Sequence, residues 1–331
     1  MESLKSFKDK IHLINRDTFK TAAFDLFRFQ AVHNELYARY LKSLGLDPSQ
    51  ITGIEQIPFL PISFFKRRVV KTGNWKEEDV FLSSGTSGME VSRHYVEDID
   101  FYDHITTRIF RSFYGDPSDY VILALLPSYL ERGHSSLVRM TDRLIRQTGS
   151  EDSGFFLRNE GELINKLKNL LSVPGRKILL FGVTYALLDL AEKYDVNLGD
   201  GAIIMETGGM KGRREELIRR DVHERLCRSF HVPVIHSEYG MTELMSQAYS
   251  KGEGIYRTPP WMKIYTREIN DPFCIDNSLS YGVINVIDLA NIHSCAFIAT
   301  DDLGSVKGEN TFEILGRMDN SDTRGCNLLL N

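Results

Sequence analysis

The stretch that decides the fold is Lys177-Ile178-Leu179-Leu180-Phe181-Gly182-Val183-Thr184, continuing as YALLDLAEKY to Tyr194. KILLF is an unbroken apolar run of strand length, Gly182 turns the chain, and Thr184 is placed to cap a helix over TYALLDLAEKY. Two further units repeat the pattern. Ala202-Ile203-Ile204-Met205 is followed by Thr207-Gly208-Gly209 and a charged helix from about Arg213. Val232-Pro233-Val234-Ile235 leads through the polar loop His236-Ser237-Glu238-Tyr239-Gly240 into the apolar and polar run MTELMSQAYS. Strands alternating with helices from about residue 80 to 250 predict an α/β fold. Open α/β sheets bind ligands beyond the C-terminal ends of their strands, so these glycine-bearing loops are the expected site.

Working outward, the first 75 residues read as mostly helical. Asn34 to Leu44 carries apolar residues at helical spacing, Gly45 is a stop, and Pro58 and Pro61 break the pattern. After about residue 255 the texture changes to IYRTPPWMKIYT, YGVINVIDL and CAFIAT, short β-like runs separated by Asn, Asp and Gly. These predict a smaller β-rich subdomain. No repeat of fixed period and no low-complexity linker divides the chain.

Composition bounds the function. Hydrophobic residues are 42% of the 331 and charged residues 26%, enough to bury a core, and the length corresponds to about two domains. Lys plus Arg is 40 against 45 for Asp plus Glu, a net charge of −5 that gives no nucleic-acid partner. The apolar stretches Tyr120 to Leu126 and Ile178 to Leu188 fall short of the run of about 20 residues that crosses a bilayer. The polar start MESLKSFKDKIH carries no secretory signal, so the expected location is the cytoplasm. Cys227, Cys274, Cys295 and Cys326 form no CxxC pair, which excludes a zinc knuckle or disulfide framework and leaves free thiols. His223, His231 and His236 lack the spacing of zinc ligands on one helix face, and the mixed charges of Arg213 to Arg228 read as a solvated helix face.

The sharpest local feature is Ser83-Ser84-Gly85-Thr86-Ser87-Gly88, made only of hydroxyl residues and glycine, after Phe81-Leu82. Glycines let backbone N–H groups converge and hydroxyls add donors, which suits a polyanion such as a triphosphate. The loop lacks the Gly-Lys-Ser/Thr ending of a Walker motif, and Met89 stands where a nucleophile elbow has its last glycine.

Three more motifs follow in order: Tyr239-Gly240-Met241-Thr242-Glu243, Thr300-Asp301-Asp302-Leu303-Gly304, and Gly316-Arg317-Met318-Asp319 through Arg324-Gly325. Together the four resemble the adenylate-forming superfamily of acyl-CoA synthetases, luciferases and nonribosomal adenylation domains. The double-serine loop, Thr207-Gly208-Gly209-Met210-Lys211-Gly212 and the ending Arg324-Gly325-Cys326-Asn327 resemble most the acyl-protein synthetases of bacterial bioluminescence, with phenylacetate-CoA ligase next. The likeness runs from about residue 60 onward.

That resemblance implies an adenylate-forming core over residues 1–315, its sheets flanked by helices, with 256–315 the β-rich subdomain. Residues 316–331 would be a hinge-like motif and short tail, the family's usual C-terminal lid domain being largely absent. It implies ATP and Mg²⁺ as cofactors and a carboxylic acid as substrate. Ser83, Ser84, Gly85, Thr86, Ser87 and Gly88 would hold the β- and γ-phosphates, Thr242 the α-phosphate and Glu243 the metal. Gly208 and Gly209 would lie along adenine, and Tyr239, beside Gly240, would stack on it and wall the acyl carboxylate. Asp302 would accept from the ribose hydroxyls, with Arg317 near ribose or phosphate.

The phosphate loop departs from the family pattern by continuing Met89-Glu90-Val91-Ser92-Arg93 instead of to Pro-Lys, so Arg93, or else Lys211, would supply the cation. His134 would line the acyl pocket, its alternative being a hydrogen-bonded structural histidine. Cys326 matches the place of the family's acylated cysteine, its alternative being a packed thiol. The expected activity is formation of an acyl adenylate and transfer to Cys326, then to an acceptor protein. Two alternatives stay open: a compact acyl- or aryl-CoA ligase, and a non-catalytic nucleotide- or acyl-binding module.

Overall fold

Alternation along the strands sorts the apolar residues onto two faces of one sheet. In the computed structural model, which describes residues 3–83, 90–127, 133–157, 159–173, 175–209 and 217–318, the parallel half consists of β4 (Tyr120–Leu125), β5 (Gly154–Phe155), β6 (Lys177–Val183), β7 (Ala202–Thr207) and β8 (His236–Tyr239). Tyr120 and Ile122 of β4 and Leu179 and Phe181 of β6 join one buried cluster, while Val121 and Leu123, Ile178 and Leu180 join a second on the opposite face. That is the period-two signature of a sheet covered on both sides. The first face is covered by α5 (Ile99–Tyr114) and α6 (Ser136–Thr148), the second by α7 (Glu160–Ser172), α8 (Thr184–Lys193) and α9 (Arg219–Phe230). Beyond β8 the sheet turns antiparallel through β9 (Ala248–Ser250), β10 (Ile255–Arg257), β14 (Thr311–Arg317), β13 (Phe297–Gly308), β12 (Gly282–Asp288) and β11 (Met262–Arg267). The α/β class and the β-rich later part are as expected, and the strands of both parts join one sheet of twelve, β1 (Leu60–Pro61) adding to β13.

The helical N-terminal part folds as read. α2 (Arg16–His33) starts at a capping box of Asn15 and Thr18, and α3 (Glu35–Ser43) is capped by Asn34 and followed by Gly45 at φ +69°. α2 docks on the antiparallel half through Phe27 against Phe297, with ring centroids 5.7 Å apart. Its fully buried Gln30 donates to the carbonyls of Asn291 and Ile292 at 2.9 and 3.2 Å and accepts from Ala296 N–H at 2.9 Å. The remaining early elements are α1 (Leu4–Lys10), α4 (Phe64–Arg67) and a two-stranded sheet of β2 (Asp79–Leu82) and β3 (Arg93–Val96).

Three local expectations are corrected. Gly182 lies inside β6, and the chain enters α8 directly. Thr184 does not cap that helix; its hydroxyl is drawn instead to Glu206 Oε2 at 2.6 Å. The third parallel strand is His236–Tyr239, four residues later than the apolar run, because Ser237 and Glu238 are buried with polar partners. The run after Glu243 supplies strand β9. The charged helix after β7 begins at Arg219; residues 210–216 lie outside the described part.

Candidate functional site

Because β6, β7 and β8 are parallel, their C-terminal ends share one edge, and three loops meet there. The first joins β6 to α8 at Thr184. The second is Gly208-Gly209 after β7, with φ of +78° and +66°, a left-handed backbone that glycine adopts without strain. A Cβ built on Gly209 would meet nothing within 4 Å, so the space above it is open, and Gly209 N–H is anchored to the Thr184 hydroxyl at 3.2 Å. The third is Gly240 to Glu243 after β8.

Two buried carboxylates underlie these loops, each two residues ahead of a glycine: Glu206 before Gly208 and Glu238 before Gly240. Burial alone would raise Glu206. Hydrogen bonds from His223, Thr184 and Ser237 and the charge of Arg219 outweigh it and hold the carboxyl near 2. Glu238 has one hydroxyl partner, Thr207, and a like charge in Glu206; burial carries it up to about 7. A Cβ on Gly240 would lie 2.4 Å from Glu238 Oε1, so glycine is required there.

The Thr242–Glu243 turn is held from two sides. Asn291 donates to the Glu243 carbonyl at 2.7 Å and accepts from Met245 N–H at 2.8 Å. Asp288 accepts from Met245 N–H, Ser246 N–H, the Ser246 hydroxyl and Ala290 N–H at 2.7 to 3.0 Å. From the other side His94 Nδ1 contacts the Thr242 carbonyl at 2.8 Å. Burial raises Glu243, against the pull of Ser92, its own amide and the charge of Arg317. Asp302 also acts on Glu243 electrostatically, and the Tyr239 hydroxyl donates to Asp302 Oδ2 at 2.8 Å. Arg317 Nε stands 3.8 Å from Asp302 Oδ1, the two being register partners across β13 and β14. Thus Tyr239, Glu243, Asp302 and Arg317, scattered in sequence, form one cluster.

The remaining expected residues are placed as follows. Ser83 forms the base of the hydroxyl-rich loop, in a reciprocal pair with Ser92. Arg93 is exposed, on the face of β3 opposite the buried His94. His134, at φ +50° and exposed, contacts Asp79 at 2.9 Å, and its carbonyl accepts from Leu82 N–H beside the loop. The Tyr239 ring is packed edge-on against Tyr256 and Phe312, 8% of the residue remaining exposed. Ser84 to Gly88, Lys211 and Cys326 lie outside the described residues.

Sequence reasoning missed Ser92, His94, Glu206, Glu238, Asp288 and Asn291. Two signals were present: polar residues at i and i+2 in Ser92-Arg93-His94, and the repeated Glu-x-Gly spacing.

The site also fits the groups the resemblance implies. Glu243 is a buried carboxylate, an oxygen donor suited to a hard cation. No group of three metal-ligating side chains occurs among the described residues. The left-handed Gly208 and Gly209, with open space above Gly209, fit a planar ligand that needs close backbone approach.

The chain is 24% identical over 91% of its length, and 84% of the relative's, to the long-chain-fatty-acid–luciferin-component ligase of Vibrio harveyi. It is 23% identical over 92% of its length, and 85% of the relative's, to the ligase of the same name from Aliivibrio fischeri. The chain is similar to acyl-protein synthetases of the adenylate-forming type. No family model matches it. The ATP-bound RpMatB–BxBclM chimera matches with a TM-score of 0.53 and 16% identity over 72% of this acyl-protein synthetase-like chain. The match takes in 47% of that structure, so the chain spans about half the length of the solved structure it matches. Among the described residues no helix is long and apolar enough to cross a membrane.

Proposed function

We propose that this chain uses ATP and Mg²⁺ to activate a carboxylic acid, in the fatty-acid class, as an acyl adenylate and then transfers the acyl group to the Cys326 thiol. The observation that carries this reading is the grouping of Tyr239, Glu243, Asp302 and Arg317 where the end of the last parallel strand meets β13 and β14. The names of the two bacterial ligases and the ATP-bound state of the matched structure support the substrate class and the nucleotide.

In the first step a carboxylate oxygen forms a bond to the α-phosphorus, and the bond to the bridging oxygen breaks with its electron pair leaving on pyrophosphate. The protein's contribution is alignment of two anions and cancellation of their charge. Ser83 to Gly88 grip the terminal phosphates, Thr242 the α-phosphate, and Glu243 the metal, which neutralises phosphate charge. Arg93 or Lys211 adds a cation. Gly208, Gly209 and Gly240 border the base, and Asp302 and Arg317 the ribose. In the second step the Cys326 thiolate attacks the acyl carbon, AMP leaves, and the thioester passes the acyl group to an acceptor protein.

Intact-mass measurement of the full chain with ATP, Mg²⁺ and a panel of acids tests this. The expected result is acid-dependent pyrophosphate release and an acyl adduct that disappears in Cys326→Ser. An adduct undiminished in that variant overturns the thioester step, acyl-CoA formed from added coenzyme A without an adduct makes the chain a CoA ligase, and ATP binding without pyrophosphate release makes it a binding module.

A further inference from the structure

Thr184 is buried at the point where β6 ends and α8 begins. Neither it nor Glu206 belongs to the four ordered motifs. A threonine at a helix start ordinarily offers its hydroxyl to the free N–H groups of that helix. This one turns away from its helix. Among the described residues, every partner of its hydroxyl lies on β7 or in the loop after it. The parallel register sets Gly182 beside Glu206 and Val183 beside Thr207, so Thr184 follows at the level where the glycine loop leaves the sheet.

A hydroxyl has one hydrogen and two lone pairs. The Gly209 N–H only donates, so the Thr184 oxygen accepts from it at 3.2 Å. The Thr184 hydrogen is left for Glu206 Oε2 at 2.6 Å and the Thr207 carbonyl at 3.0 Å, the carboxylate being the nearer and stronger acceptor. The other Glu206 oxygen lies 3.6 Å from His223 Nε2, so the carboxylate is held from both sides. The hydroxyl therefore has one orientation, and it draws the Gly209 amide inward. Gly208 and Gly209 themselves are exposed, and the direction a Cβ on Gly209 would take is open. The loop thus shows a backbone surface free of side chains, with the Gly209 N–H already used, which suits the flat face of a base.

We propose that Thr184, oriented by Glu206, is a positioning residue for the nucleotide base, fixing the Gly208-Gly209 backbone against which the base lies. The inference rests on the nucleotide-binding part of the function proposed above. A contact made to bare backbone needs that backbone held to about 0.5 Å, and glycine has no side chain with which to hold itself. The anchor must come from a neighbouring element, and β6 supplies it through Thr184.

Calorimetric titration of the full chain with ATP and with inorganic tripolyphosphate, which carries the phosphates without the nucleoside, tests this at saturating Mg²⁺. Thr184→Val keeps the side chain's shape and removes the hydroxyl. It should weaken ATP about fivefold, the worth of one hydrogen bond, and leave tripolyphosphate unchanged. Thr184→Ser should retain the wild-type ATP affinity. Glu206→Gln should weaken ATP by a smaller factor, and that loss should vanish in the Thr184→Val background. In the wild type the Gly209 amide should exchange slowly with deuterium; fast exchange overturns the anchor even if Thr184→Val fails to fold. A merely structural role would lower Tm and weaken both ligands alike, and that result, or unchanged ATP affinity in a folded Thr184→Val, overturns the proposal. ATP bound in this Thr184-dependent way without acid-dependent pyrophosphate release would sink acid activation and leave this inference standing; acid-dependent pyrophosphate release with ATP affinity unaffected in Thr184→Val would do the reverse.

Discussion

The Tyr239 hydroxyl donates to Asp302 Oδ2 at 2.8 Å and so ties the end of the last parallel strand to the middle of the antiparallel half. A buried hydrogen bond to a carboxylate contributes about 2 kcal/mol, and Tyr239→Phe should lower unfolding free energy in urea by about that amount. The Asp302 oxygen nearer Arg317 stays available to a ligand. Asp302→Ala should therefore weaken ATP binding about tenfold, the loss expected for charge-assisted contacts to two hydroxyls. Unchanged ATP affinity in Asp302→Ala would remove the ribose role.

Glu238 makes stability depend on pH. Its carboxyl is raised from 4.5 to about 7 by burial. Below pH 4.5 both folded and unfolded chains keep the proton, and the group costs nothing. As pH rises from 4.5 to 7 the unfolded chain ionises first, so stability falls by up to about 3 kcal/mol and then levels off. Glu238→Gln keeps an acceptor for Thr207 and cannot ionise. Urea unfolding should show the variant matching the wild type near pH 4.5 and exceeding it by about 1–3 kcal/mol at pH 8. Parallel curves would show that folding does not shift the Glu238 carboxyl.

Gly240 and Glu238 should couple in a double-mutant cycle. The added Cβ of Gly240→Ala meets Glu238 Oε1 at 2.4 Å, and Glu238 is buried and held by Thr207, so it has nowhere to move. The single variant should lose about 2 kcal/mol of stability. In a Glu238→Ala background the same substitution should cost well under half as much. Additive costs would count against the contact.

Asp288 holds the Thr242–Glu243 turn by accepting from Met245 and Ser246. Burial raises it to about 6 in spite of its hydrogen bonds. Asp288→Asn replaces one acceptor oxygen with a donor and leaves N–H groups of the turn facing N–H. A loss of about 2–4 kcal/mol in chemical denaturation is expected. A neutral substitution would mean that Asn291 and His94 hold the turn without it.

Much of this was legible in the residues, where local pattern and local structure coincide. KILLF became β6, the Asn34 cap began a helix, and the β-like runs after residue 255 became strands. Reading failed where a polar residue was buried by a distant partner. His236 to Tyr239 looks like a loop because strand β8 is polar, and it is a strand because Thr207 and Asp302 satisfy Glu238 and Tyr239 across the sheet. Thr184 looks like a helix cap, and Glu206 on the neighbouring strand outcompetes the helix end.

The sequence by itself determined the alternation of strands and helices, the glycine loops after the strands, and the order of four motifs that carries the resemblance. Each of these is written in neighbouring residues, whose spacing is set by strand and helix geometry. Only the tertiary structure decided which strands share a sheet, that Glu206 is charged while Glu238 holds its proton below about pH 7, and that His94 faces Thr242. Those outcomes depend on contacts between residues far apart in sequence, His94 and Thr242 being 148 positions apart, where burial and partner together set charge and orientation.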